Sequence, residues 1–282
     1  MNFEFVETMT KQKIKLFGCF KRKNNNKCIL YIPGISSNFF NCKLARILGE
    51  NSVDNGYDFL FSHNQGSFQI MDYPVILENG EVKTTLKGSA YEKFEDCVYD
   101  IDAWLNYLYK FNYEEIVIVC HSLGCKKAIY YLNQIPNNKV SKIVMLAPKD
   151  SVNFSNLDIH KGLLEEAKNN IDLGEGEKLL SKKFLGFNLM SSETYYQHIT
   201  NPVINNIPYE TVNGDFSMLN NIEKPIYVLI GSKDLGENNE EYMKLITRNC
   251  INGKYTVIKD ANHNFKNKED ELVSYILKYL ND

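Results

Sequence analysis

Short, almost unbroken apolar runs recur along this chain, each ending in a polar turn: Cys28-Ile29-Leu30-Tyr31-Ile32, Ile116-Val117-Ile118-Val119, Ile143-Val144-Met145-Leu146 and Ile226-Tyr227-Val228-Leu229-Ile230. A strand with one face in water alternates apolar and polar residues. Runs like these need cover on both faces, as in a parallel sheet. Between them, Phe94, Val98, Ile101, Leu105 and Leu108 repeat at three and four and predict a long helix over Tyr91 to Tyr109. Shorter helices are expected over Lys43–Leu48, Lys126–Leu132, Glu240–Thr247 and Glu269–Leu280. Further strands are expected at Phe3–Phe5, Lys13–Phe17, Tyr57–Phe61 and Tyr255–Ile258. Alternating strands and helices imply an α/β fold with a mostly parallel central sheet flanked by helices.

Two stretches interrupt the rhythm. Gln69 to Gly88 reads as an inserted hairpin turning at Glu78-Asn79-Gly80-Glu81, where Asn-Gly favours a type I′ turn. From Ser151 to about Phe216 the strands stop, and short helical patterns at Leu163–Lys168 and Lys178–Phe184 alternate with Gly- and Asn-rich breaks. The expected organisation is a core domain of residues 1–150 and 217–282 carrying a helical cap insertion at 151–216.

Ligands of open parallel sheets gather at the carboxyl ends of the strands. Just past those ends lie Pro33-Gly34-Ile35, Ser62-His63, Cys120-His121-Ser122, Ala147-Pro148-Lys149-Asp150, Gly231-Ser232-Lys233-Asp234 and Ala261-Asn262-His263. A serine, two candidate aspartates and a histidine thus fall on one edge in the order Ser, Asp, His, which suits a nucleophile, acid and base. Ser122 sits in Cys-His-Ser-Leu-Gly, one residue away from the G-x-S-x-G nucleophile elbow because Cys120 replaces the first glycine.

These motifs together make the chain resemble the α/β-hydrolase superfamily over nearly its whole length, and more loosely its serine-aminopeptidase-like and DUF1749-type branches. The resemblance implies Ser122 as nucleophile, His263 as general base and Asp234 as the acid that orients it, with Asp150 the alternative acid. It also implies an oxyanion hole from the backbone N–H groups of Ile35 and Leu123. His63 and Ser36 are candidates for the substrate pocket. Glu237 ranks behind both aspartates.

Plainer roles compete with each of these. Serine favours helix N-caps, and aspartate after Gly-Ser is a common turn residue. His121 is expected to pack under the elbow, and His160 and His198 to be structural or solvent-exposed. Cys120 and Cys125 are expected to fill space as small apolar side chains.

Composition narrows the function classes. The net charge is −3, and the one basic cluster, Lys21-Arg22-Lys23, is short, so no nucleic-acid partner is expected. No apolar run approaches the roughly 20 residues of a membrane span, and no secretory signal is visible. Seven scattered cysteines without a C-x-x-C pair suggest reduced thiols in a cytoplasmic chain. No nucleotide-binding or metal-ligand motif occurs, so no cofactor and no metal are expected. The expected activity is hydrolysis of a small ester through an acyl-enzyme. Peptidase, amidase or acyltransferase chemistry on the same triad is the alternative, and a non-catalytic binding protein on a hydrolase scaffold a remoter one.

Overall fold

The computed structural model describes residues 2–150, 160–209, 214–234 and 239–281. Ten strands are described: β1 (Glu4–Met9), β2 (Lys15–Lys21), β3 (Lys27–Ile32), β4 (Tyr57–Ser62), β5 (Met71–Ile76), β6 (Val82–Lys87), β7 (Glu115–His121), β8 (Val140–Leu146), β9 (Ile226–Gly231) and β10 (Gly253–Ile258). The helices are α1 (Lys43–Asp54), α2 (Cys97–Tyr109), α3 (Leu123–Gln134), α4 (Leu163–Asp172), α5 (Ser192–Thr200), α6 (Ser217–Asn220), α7 (Asn239–Arg248) and α8 (Glu269–Asn281). Eight strands form one sheet in the order β1-β2-β4-β3-β7-β8-β9-β10. β2 pairs antiparallel with β1 and β4, and every other neighbouring pair is parallel.

The apolar runs are buried on both faces. Cys28, Leu30 and Ile32 of β3, with Ile116, Ile118 and Cys120 of β7, pack in one core beside Leu105 of α2, Ala128 of α3 and Met243 of α7. Ile29 and Tyr31, with Val117 and Val119, enter a second core beside Leu48 of α1 and Ile276 of α8. Successive residues of a strand point to opposite faces, so a continuous apolar run supplies both cores at once.

Three expectations are corrected locally. The 69–88 insertion is the antiparallel β5–β6 hairpin, but only Gly80 of its turn is left-handed, at φ 82°. A type I′ turn needs positive φ at both central residues. Here Leu77 accepts from the Gly80 N–H and donates to Glu81 O, the three-residue loop with a glycine bulge. The long helix begins later than Tyr91, with a 3-10 turn at Phe94–Asp96 leading into α2. Before it, the Ala90 carbonyl accepts from Ser191 N–H, which ties the chain outside any helix.

The segment Lys178–Phe184 is not helical. It pairs locally instead, through bridges Leu179–Ser191 and Phe184–Asn188. Seven residues are too few to hold a helix without strong tertiary support. A helix that the periodicity does not predict, α5, starts after Ser191, whose hydroxyl accepts the Thr194 N–H. Leu163, Ala167, Leu180, Phe184, Met190 and Tyr195 belong to a separate apolar cluster there, with Ile35 packed against it. Residues 151–159 and 210–213 of the expected cap lie outside the described residues. Among the described residues no helix is long and apolar enough to cross a membrane.

Candidate active site

β7 runs into α3 through a single residue, Ser122, held at φ 54° and ψ −120°. An L-residue rarely adopts this conformation, and it costs on the order of 1–3 kcal/mol. The turn is enforced from several sides. Ser122 N–H donates to Leu146 O at 2.9 Å, and Cys125 N–H donates to Ser122 O at 3.0 Å. A Cβ on Gly124 would run into the carbonyl oxygens of Ile32 and Pro33, 2.7 Å from the latter. Glycine is therefore required after the serine, where α3 crosses the end of β3. Before the serine, Cys120 is fully buried, its thiol directed to Val144 O at 3.4 Å. Burial pushes that thiol well above its ordinary value, so it stays protonated and inert.

The Ser122 side chain makes no capping bond to α3. Its hydroxyl donates to His263 Nε2 at 2.9 Å. His263 Nδ1 donates to Asp234 Oδ1 at 2.8 Å, and the Asp234 side chain is fully buried while that of His263 is 20% exposed. The loops after β9 and β10 are laced together by Ser232 N–H to Ile258 O and Lys233 N–H to Ala261 O, both 2.9 Å. This lacing sets the aspartate against the histidine.

Asp150 follows β8 but is directed elsewhere, its carboxylate accepting the Tyr209 N–H at 3.1 Å. The buried ammonium of Lys126 lies in its field, and burial lowers that lysine to about 8 despite Asp150. Glu237 lies outside the described residues.

The turn after β3 borders the serine. A Cβ on Gly34 would lie 3.0 Å from Ser122 Cβ. Neither Ile35 N–H nor Leu123 N–H has an acceptor among the described residues. Both residues line a small cavity with Phe94, Met190, His198 and Ile204.

Ser36 and His63 are not among the residues lining this cavity. Ser36, half-buried at φ 51°, bridges to Ser67. His63 is 3% exposed, accepts the Phe39 N–H at Nε2 (2.9 Å), and is lowered to about 4 by burial. His121 is buried, donates from Nε2 to the His263 carbonyl at 2.9 Å, and is lowered to about 4 by burial and then by His263. His160 and His198 are both buried.

Several buried polar residues beyond these candidates surround the site. Asp100 accepts from Gln65 N–H and Nε2, both at 2.9 Å, and burial raises its carboxyl to about 7. Lys127 pairs with Glu92, both nearly sealed from water. Lys149 stands beside Asp234, its Nζ 3.7 Å from Oδ1. Of these, only Lys149 carries a signal in the sequence, its place at a strand end.

Comparison with solved structures points to a known fold. The chain is similar to DcsB in complex with its substrate analogue (TM-score 0.71, 14% identity, covering 99% of this chain and 98% of that one). It is similar to Est1E from Butyrivibrio proteoclasticus with ferulic acid bound (0.66, 13%, 98% of each chain). It is also similar to the esterase EaEST from Exiguobacterium antarcticum (0.64, 15%, 98% and 99%). At these identities the likeness concerns the fold, which is that of the α/β-hydrolases. No curated protein sequence matches the chain. The profile described as "Protein of unknown function (DUF1749)" matches residues 87–281, the span from the end of β6 through α8, and the chain belongs to that family.

Proposed function

We propose that this protein is a serine hydrolase that cleaves a small ester through an acyl-enzyme. The observation that carries the reading is the continuous hydrogen-bonded path from Ser122 Oγ through both ring nitrogens of His263 to Asp234. A serine hydroxyl is a weak nucleophile until a base removes its proton. In the proposed reaction Oγ attacks the ester carbonyl carbon as its proton passes to His263 Nε2. Asp234 stabilises the imidazolium from the Nδ1 side.

The tetrahedral oxyanion is received by the N–H groups of Leu123 and Ile35, and the amino end of α3 adds its positive field. Collapse breaks the bond to the alkoxide, which takes the proton from Nε2. Water then repeats the sequence on the acyl-enzyme and restores the serine. EaEST is an esterase by name, and Est1E binds ferulic acid, which favours a carboxylic ester over other substrates.

The segment 151–216 is proposed as the cap roofing this site, with Met190 and His198 among the residues it contributes. Seven cysteines, all free thiols, support a cytoplasmic setting.

A fluorophosphonate probe tests the chemistry. The wild type is expected to label at Ser122 and lose ester hydrolysis in step, while Ser122→Ala does not label. Equal labelling of the two proteins, or none of either, would sink the reading. Esters of graded chain length, run beside aminoacyl amides, then define the acyl group.

A further inference from the structure

The carboxylate oxygen that holds His263 has a second neighbour. Asp234 Oδ1 lies 2.8 Å from His263 Nδ1 and 3.7 Å from Lys149 Nζ. Lys149 follows β8, and its side chain is 4% exposed. Its ammonium donates to Tyr209 OH at 3.2 Å and to Asn239 Oδ1 at 3.1 Å. Asn239 in turn donates from Nδ2 to Gly231 O at 3.3 Å, and Tyr209 stacks on Tyr242 with ring centres 3.9 Å apart. The ammonium is thus fixed by groups from three separate segments of the chain.

From this juxtaposition we infer that Lys149 is a positioning residue that tunes the base through Asp234. The inference rests on the proposed roles of Asp234 and His263. A bare buried carboxylate would stabilise an imidazolium strongly and keep the base protonated to higher pH. With an ammonium on the same oxygen, the imidazole faces an ion pair, and the charge felt at Nδ1 is smaller. The base is then free at lower pH, while the carboxylate still fixes its tautomer.

Other titratable groups surround the pair without sharing this place. His121 lies 5.1 Å from His263, ring centre to ring centre, and is neutral because burial lowers it to about 4. Ser122 occupies the opposite ring nitrogen of His263. Asp150 accepts from the Tyr209 backbone and acts on Lys126. Tyr209 and Tyr242 are both raised by burial and stay neutral phenols. Burial lowers Lys149 itself, and the Asp234 carboxylate opposes that shift, consistent with an ammonium kept charged by this partner.

The test follows the His263 ring signal by NMR as pH is varied, in a Ser122→Ala background so that the readout does not depend on catalysis. Lys149→Met should move the titration midpoint up by about one pH unit, in the range expected for one close charge. Lys149→Arg should leave it near the parent position. Lys149→Gln, which keeps a donor and loses only the charge, serves if the methionine variant does not fold, and should shift in the same direction. A midpoint unmoved in the neutral variants, or moved equally by arginine, overturns the inference. Failure of Ser122 to label would instead count against the hydrolase reading and leave this result standing on its own.

Discussion

Past β8 and past β9, two strands paired side by side, the chain places Lys149-Asp150 and Lys233-Asp234. The two ends look interchangeable as sequence, yet their carboxylates do different things. Asp234 receives the imidazole N–H of His263, whereas Asp150 receives the backbone N–H of Tyr209. The lysines divide as well: Lys149 turns inward to Asp234, while Lys233 pairs at the surface with Asp260. A strand end thus guarantees a position on the edge. What a side chain meets there depends on how the adjacent loops are laced.

The largest expected effect separates the two aspartates. Asp234→Asn should lower ester turnover by about four orders of magnitude with the fold retained, because the amide no longer sets the imidazole tautomer. Asp150→Asn should keep turnover within about tenfold, since it keeps an acceptor for the Tyr209 N–H and the charge it removes acts on Lys126. Steady-state kinetics on the two folded variants decides. The reverse ranking would make Asp150 the working acid.

Next comes a comparison of the two small residues around Ser122. Gly124→Ala puts a methyl against the Ile32 and Pro33 carbonyls and should cost about 1–3 kcal/mol of stability, with slower probe labelling. Cys120→Ala only removes a buried thiol, and should cost about 1 kcal/mol with labelling intact. Denaturant midpoints and labelling rates on both report the outcome. Equal behaviour would mean that the elbow does not depend on the close crossing of α3 and β3.

A last effect, read in stability against pH and not in turnover, concerns groups held for structure rather than chemistry. Burial lowers His63 and His121 to about 4 and His198 to about 3, from an ordinary 6.5. The stability these histidines contribute is complete above about 6.5 and is lost as pH falls toward their folded values. Asp100 works the other way: raised from 3.8 to about 7, its contribution is present at low pH and lost as pH rises through 7. Between about pH 4 and 6.5 the unfolded chain gains up to three protons on the histidines, while the native state keeps one on Asp100. The excess of about two protons should weaken the fold by no more than about 3 kcal/mol per pH unit on acidification. Urea unfolding at pH 7 and pH 5 measures this, and unchanged stability would contradict the burial argument.

Much of the architecture was readable because it rests on composition along single segments. An unbroken run such as Ile116–Val119 has nowhere to go except between two apolar layers, and the structure places it there. Local choices with competing partners were harder. Asn79-Gly80 suggested a two-residue turn, but the pairing of β5 with β6 required a longer loop in which only the glycine is left-handed. Leu179, Leu180 and Phe184 suggested a helix, but Ser191 and Asn188 offered local bridges instead.

For the site, the sequence by itself determined the strand-end positions of Ser122, Asp234 and His263 and the small residues that let the chain turn at the serine. These depend on neighbours within a few positions. Tertiary structure alone decided which aspartate reaches the histidine, that His63 is walled in by Phe39 and Phe61, and that Lys149 stands beside Asp234. Those outcomes depend on loops from distant strands and on the burial they create. Burial changes the cost of a charge by several kcal/mol, and no single segment carries that information.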